Sequence, residues 1–157
     1  MIKIFKYTII FVIYLALIVN HSKSSENKIL FKVNNEIITS LDILSELQYL
    51  QIINKEFQNI KKEEAFQISK NSLIREKIKE IEIRKIIKEI KIEDKVFNNL
   101  IKNYFREFKI TSIPEFEKFF LINDIDPNLI RKKITLEILW NQLIYSKYQK
   151  NVKIDKQ

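Results

Sequence analysis

No glycine occurs anywhere in the 157 residues. Glycine lets a backbone adopt positive φ or pass close to a ligand, so its absence removes whole classes of function. A P-loop, a GxGxxG dinucleotide fingerprint and a GxSxG nucleophile elbow each need backbone that a Cβ would block. Cysteine is absent too, which excludes disulfides, thiolate nucleophiles and Cys-ligated zinc. The apolar share of 46% is that of a globular chain rather than a disordered one. The length suits a single domain.

Residues 1–24 read as a secretory signal peptide. Lys3 and Lys6 precede a continuous apolar run from Tyr7 to Val19, and the small polar stretch Asn20 to Ser25 follows. That is the order of a charged region, a hydrophobic region and a cleavage zone, with Ser22 and Ser24 as the small residues before the cut. Thirteen residues of apolar helix span about 20 Å, short of the roughly 30 Å hydrocarbon core. Cleavage is therefore expected, with no stable membrane span afterwards; retention as an anchor is the alternative.

Cleavage would also remove the only His (His21) and the only Met (Met1). Without His or Cys, neither a Ser–His–Asp nor a Cys–His constellation can form, and most transition-metal sites are excluded. No cofactor or metal is expected, and catalysis would have to run on carboxylates, Lys, Tyr or Ser.

The formal net charge is +8, with only four arginines (Arg75, Arg84, Arg106, Arg131) in a chain rich in Ile, Lys, Asn and Phe. An AT-rich coding sequence explains that bias, so it does not argue for a nucleic-acid partner. The densest basic cluster, Arg131, Lys132 and Lys133, is expected to be a solvated helix face.

Two short β-branched runs, Ile29 to Val33 and Glu36 to Thr39, flank Asn34-Asn35. Asn is the best non-glycine residue for positive φ, so this predicts a hairpin. Thr39 or Ser40 then caps a helix, with Asp42 as the capping-box partner. That helix is expected to run to about Phe57, with Ile43, Leu44, Leu47, Leu50 and Phe57 on its apolar stripe. A second helix, about Glu63 to Ile90, carries Ile74, Ile78, Ile81, Ile83, Ile87 and Ile90 and is long enough to touch several partners. A third is predicted over Asp94 to Phe108, burying Val96, Leu100, Ile101, Tyr104, Phe105 and Phe108. Thr111 or Ser112 before Pro114 starts a fourth helix through Leu121. Asp126-Pro127 starts the last, to about Tyr148, which is apolar on more than one side. Asn151 to Gln157 reads as a brief extended tail. The expected fold is mainly α, with about five helices and a small N-terminal β-hairpin.

Few residues present themselves for chemistry. Asp124, Asp126 and Asn128 match the first positions of a calcium loop, but Leu129 and Thr135 stand where Gly and Glu are needed, so Asp126 is expected to cap a helix. Glu80 and Glu82 point to different helix faces and do not form a carboxylate pair. Glu80 and Arg84 read as an ordinary surface ion pair. The candidate binding residues are Phe105, Phe108, Phe116, Phe119 and Phe120, gathered around one helix–loop–helix corner. Five Phe within sixteen positions exceed what a small corner usually buries, so a part-exposed aromatic patch for a polypeptide partner is expected.

The stretch Ile29 to Ile43, ILFKVNNEIITSLDI, resembles the start of the mature SurA family of periplasmic chaperones and peptidyl-prolyl isomerases. The match rests on Val33, Asn34, Asn35, Glu36, Ile37 and Ile38, with Ser40 and Asp42 at the cap. Leu73 to Ile92 looks like that family's long helix, followed by an acidic helix start at Glu93-Asp94. Ile110 to Phe120 and Ile130 to Val152 look like its later segments. The resemblance implies a SurA N-terminal-domain-like fold, of the trigger-factor and SurA peptide-binding type, over residues 25–157. It further implies an ATP-independent periplasmic chaperone that holds unfolded outer-membrane protein precursors.

Catalysis in that family belongs to parvulin-type domains that follow this module. Such a domain is expected to be absent here: the chain reaches Gln157 where it would begin and carries none of the parvulin His or Cys residues. The family's C-terminal segment, which packs back on the module, is expected to be missing, so that either another chain supplies that contact or the sequence is a truncated gene product. The alternatives are an exported structural subunit docked on a partner chain and a truncated remnant of an isomerase.

Overall fold

The computed structural model describes residues 27–149; the expected signal peptide over 1–24 and the expected tail over Asn151–Gln157 lie outside them. A hairpin of β1 (Ile29–Val33) and β2 (Glu36–Thr39) leads into α1 (Ser40–Ile53) and a 3-10 turn (Lys55–Asn59). Helices α2 (Lys62–Arg84) and α3 (Asp94–Tyr104), a second 3-10 turn (Arg106–Phe108), α4 (Ile113–Ile122) and α5 (Pro127–Tyr148) follow. The fold is thus mainly helical with one small antiparallel hairpin.

The hairpin forms as its turn chemistry predicts. Asn34 takes φ 54°, and pairing runs Val33 to Glu36, Lys32 to Ile37 and Phe31 to Ile38, with an irregularity between Ile29 and Phe31. Side-chain alternation sends Ile38 into full burial and leaves Ile37 exposed. Phe31 stacks at 6.4 Å from Phe66 with the Lys70 ammonium 4.4 Å above its ring. Lys77 reaches Glu36 at 3.2 Å, so the hairpin is tied to α2 by packing and by charge. The capping box at α1 is complete: the Thr39 hydroxyl accepts from the Asp42 N–H, and the Asp42 carboxylate accepts from the Thr39 N–H at 2.7 Å.

Without glycine, the chain places Asn34, Lys109 and Asp124 in the left-handed region. Asn and Asp tolerate it, whereas a Lys at φ 57° carries the Cβ–carbonyl clash in full. Lys109 closes the turn after Phe108. Lys109→Gly is therefore expected to raise the unfolding free energy by about 1 kcal/mol; a denaturation midpoint that stayed put or fell would contradict this.

Three helix ends differ from the sequence expectation. Helix α1 stops at Ile53 because the Asn54 side chain accepts from the Glu56 N–H and starts a new turn, and that turn, not the helical stripe, buries Phe57. Helix α2 stops at Arg84 rather than Ile90. Beyond it Ile87, Ile90 and Ile92 pack against Ile83, Leu136 and Leu139, a tertiary contact that a continuing helix would wind away from. Helix α3 stops at Tyr104 rather than Phe108, and its buried face is Phe97 and Ile101, followed by Phe105. Val96 and Tyr104, expected inside, are 43% and 56% exposed. Ile101 and Phe105 are buried as expected, and the residue the expectation missed is Phe97, which completes an i, i+4, i+8 line.

Helix α2 touches the hairpin, α1 and α5, as its length suggested. The core, however, centres on α5. Its Ile130 and Ile134 close the cluster of Phe97, Ile101, Phe105, Ile110, Phe116, Phe120 and Ile125. Its Leu136 and Leu139 form a second cluster with Ile83. Two apolar faces on one helix mark an element packed on both sides.

Candidate functional site

A groove of about 610 Å³ opens beside this core, within the roughly 300–1,000 Å³ typical of ligand clefts. Helix periodicity builds two of its walls. Glu46, Tyr49, Leu50 and Ile53 come from α1, and Ser72, Arg75, Glu76 and Lys79 from α2, each set at i, i+3, i+4, i+7 and hence on one face. Helix α5 adds Lys133, Ile134 and Glu137, and the α3 terminus with its 3-10 turn adds Tyr104, Phe105, Glu107 and Phe108.

The polar side of the groove is an ion network joining three helices. The Lys133 ammonium lies 2.6 Å from Glu76 and 2.9 Å from Glu46, and Lys79 pairs with Glu137. Glu46 is only 3% exposed, and among the described residues its Oε1 has no hydrogen-bond partner. Burial by itself would lower the Lys133 pKa, but Glu76 and Glu46 outweigh it and hold the ammonium above its ordinary range. Burial pushes the Tyr49 phenol up to about 12, only partly opposed by Lys133. Both shifts move away from neutrality, so neither group is poised to exchange a proton near pH 7.

These placements correct two sequence expectations. The cluster Arg131, Lys132 and Lys133 is not a solvated face: Arg131 pairs with Asp94 and its guanidinium sits 4.5 Å over the Phe97 ring. Lys132 lies 2.8 Å from Glu80, and Lys133 is the centre of the network. Nor is Glu80–Arg84 a surface pair, since Glu80 is buried. That burial pushes its pKa up, yet hydrogen bonds from Lys132 and Arg84 prevail and hold the carboxyl below its usual range. The cause is α5 lying against α2 and the start of α3, which brings Lys132 to Glu80 and Arg131 to Asp94 from distant sequence.

The five candidate phenylalanines divide by depth. Phe105, Phe116 and Phe120 are core residues, in edge-to-face contacts with centroids 4.9–5.5 Å apart. Phe108 and Phe119 are half-buried, 5.3 Å from one another. Phe105 and Phe108 line the groove, while Phe116, Phe119 and Phe120 do not.

Sequence reasoning missed Glu46, Tyr49 and Lys133 as site residues. A usable signal existed, because Glu46 stands among Ile43, Leu47 and Leu50, and Lys133 between Ile130 and Ile134: two opposite charges, each set on an apolar stripe. Asp126 caps α5 as expected, accepting from the Asn128 N–H at 2.9 Å. Among the described residues no acidic or His cluster is arranged to hold a metal ion, and no helix is long and apolar enough to cross a membrane. Comparison with family models, with curated proteins and with solved structures finds no match to this chain.

Proposed function

We propose that the chain is a SurA-like, ATP-independent chaperone module of the periplasm that holds unfolded outer-membrane protein precursors without catalysis. The observation that carries the reading is the groove itself, which sets the apolar Leu50, Ile53, Phe105 and Phe108 beside charged residues of α1, α2 and α5. An apolar wall takes alternate side chains of an extended polypeptide, and the polar wall offers partners to its backbone and charged groups. The hairpin adds to this: β1 pairs only with β2 among the described residues, so a strand edge is open for augmentation. The periplasmic assignment rests on the charged, apolar and small-polar order of residues 3–25, and the family on the Val33–Asp42 motif.

The test is binding of the purified chain to an unfolded outer-membrane β-barrel protein, with an unfolded soluble protein as control. Binding that favours the barrel protein, together with suppression of its aggregation, is expected. Binding to neither, from a folded sample, would sink the proposal.

A second reading, a helical subunit docked on a partner chain, is favoured by one observation. Leu121, Ile122 and Leu129 are exposed near the α4–α5 turn, Ile122 at 70%. A concentration-dependent oligomer, or one stoichiometric partner on purification, would select that reading.

A further inference from the structure

We infer that the groove selects polypeptide segments carrying a cationic side chain, lysine or arginine, whose head is received by Glu46 and Glu76 while its stem lies on the aromatic wall. The inference deepens the peptide-binding reading above and rests on it. Three observations converge. In a chain of net charge +8, the groove reverses sign, presenting four carboxylates against three cations. Lys79 and Glu137 cancel as a pair, and the exposed Arg75 is balanced by the exposed Glu107. The excess negative charge therefore lies where Glu46 and Glu76 share the single ammonium of Lys133.

Second, that excess is incompletely satisfied. Glu46 is 3% exposed, yet only its Oε2 meets Lys133 and, among the described residues, its Oε1 has no donor. A buried carboxylate oxygen without a donor is costly, and an N–H from a ligand relieves that cost. Third, apolar residues of the same groove fit the remainder of such a side chain. Long cationic side chains lay their methylene stems on apolar surface, here Leu50, Ile53 and Phe108, and guanidinium groups stack on exposed rings such as that of Tyr104. An anionic side chain would meet Glu46 and Glu76 instead and be rejected.

The experiment uses two fluorescent, unstructured peptides of the same apolar sequence. One carries a central arginine and the other citrulline, which keeps the shape and removes the charge. On the unaltered chain, anisotropy titration is expected to give at least tenfold tighter binding of the arginine peptide, as a charge-assisted hydrogen bond in a desolvated site supplies. Equal affinities, or tighter binding of the citrulline peptide, would overturn the inference whatever any variant does. Glu46→Gln, verified as folded by circular dichroism, is expected to reduce the ratio to below about threefold; a ratio unchanged in a folded variant would also overturn it. Unfolded barrel protein is titrated in parallel. If it binds while the two peptides do not differ, only this inference falls, and if nothing binds, the chaperone reading falls with it.

Discussion

Lys133→Met will destabilise the fold by about 3 kcal/mol, the lower end of the cost of breaking a buried ion pair by removing one member, because Glu46 is buried while Lys133 and Glu76 are half-buried. Among the described residues Lys133 is the only cation on Glu46, and it sits between Glu46 and Glu76 with its side chain 16% exposed. Taking it away leaves two carboxylates facing one another with one of them almost fully desolvated. The loss is read from urea or guanidinium midpoints at neutral pH. Restoring charge balance should recover most of it: adding Glu46→Leu and Glu76→Gln to Lys133→Met removes the stranded charges, and such apolar replacements are often neutral or stabilising. A single variant as stable as the parent would show that the network is not a structural tie between α1, α2 and α5.

The same network sets a pH dependence at the alkaline end. The Lys133 pKa is raised above its ordinary value of 10.5, so its contribution is complete below that value and is lost as pH climbs through the raised one. Glu80 acts at the other end. Its pKa is lowered from 4.5, so its contribution is complete above that value and disappears as pH falls through the lowered one. Stability measured against pH should therefore fall at both extremes, and Lys133→Met should show a smaller alkaline fall than the parent.

Phe120→Ala and Phe108→Ala are expected to separate fold from function within the aromatic corner. Phe120 is fully buried, with ring centroids of Phe116, Phe119 and Phe105 at 4.9, 5.2 and 5.5 Å. Its truncation leaves a cavity in the main core and should cost about 3–5 kcal/mol. Phe108 sits half-buried on the groove wall. Phe108→Ala should cost only about 1 kcal/mol of stability, while weakening unfolded-polypeptide binding by about tenfold, the loss expected of an aromatic anchor. Equal destabilisation by both substitutions, or full binding by Phe108→Ala, would remove the groove wall from the binding surface.

What the sequence by itself determined was local. Thr39 with Asp42, Ser112 before Pro114, and Asp126 before Pro127 start three helices where the chain says they start, because a cap is a contact between residues two or three apart. Asn34 makes the hairpin turn for the same reason. The aromatic corner was visible as a sequence cluster, but its depth was not: which phenylalanines are core depends on how α3, α4 and α5 meet. Helix ends also escaped where no cap residue signals them, as at Arg84, where contact with Leu136 and Leu139 decides. The largest difference lies in the charges. Glu46, Glu76 and Lys133 are far apart in sequence, and only the packing of α1, α2 and α5 around one seam turns three ordinary residues into a part-buried network. Ion pairing at that range is a property of tertiary arrangement, since no periodicity within one helix records which charge the neighbouring helix will present.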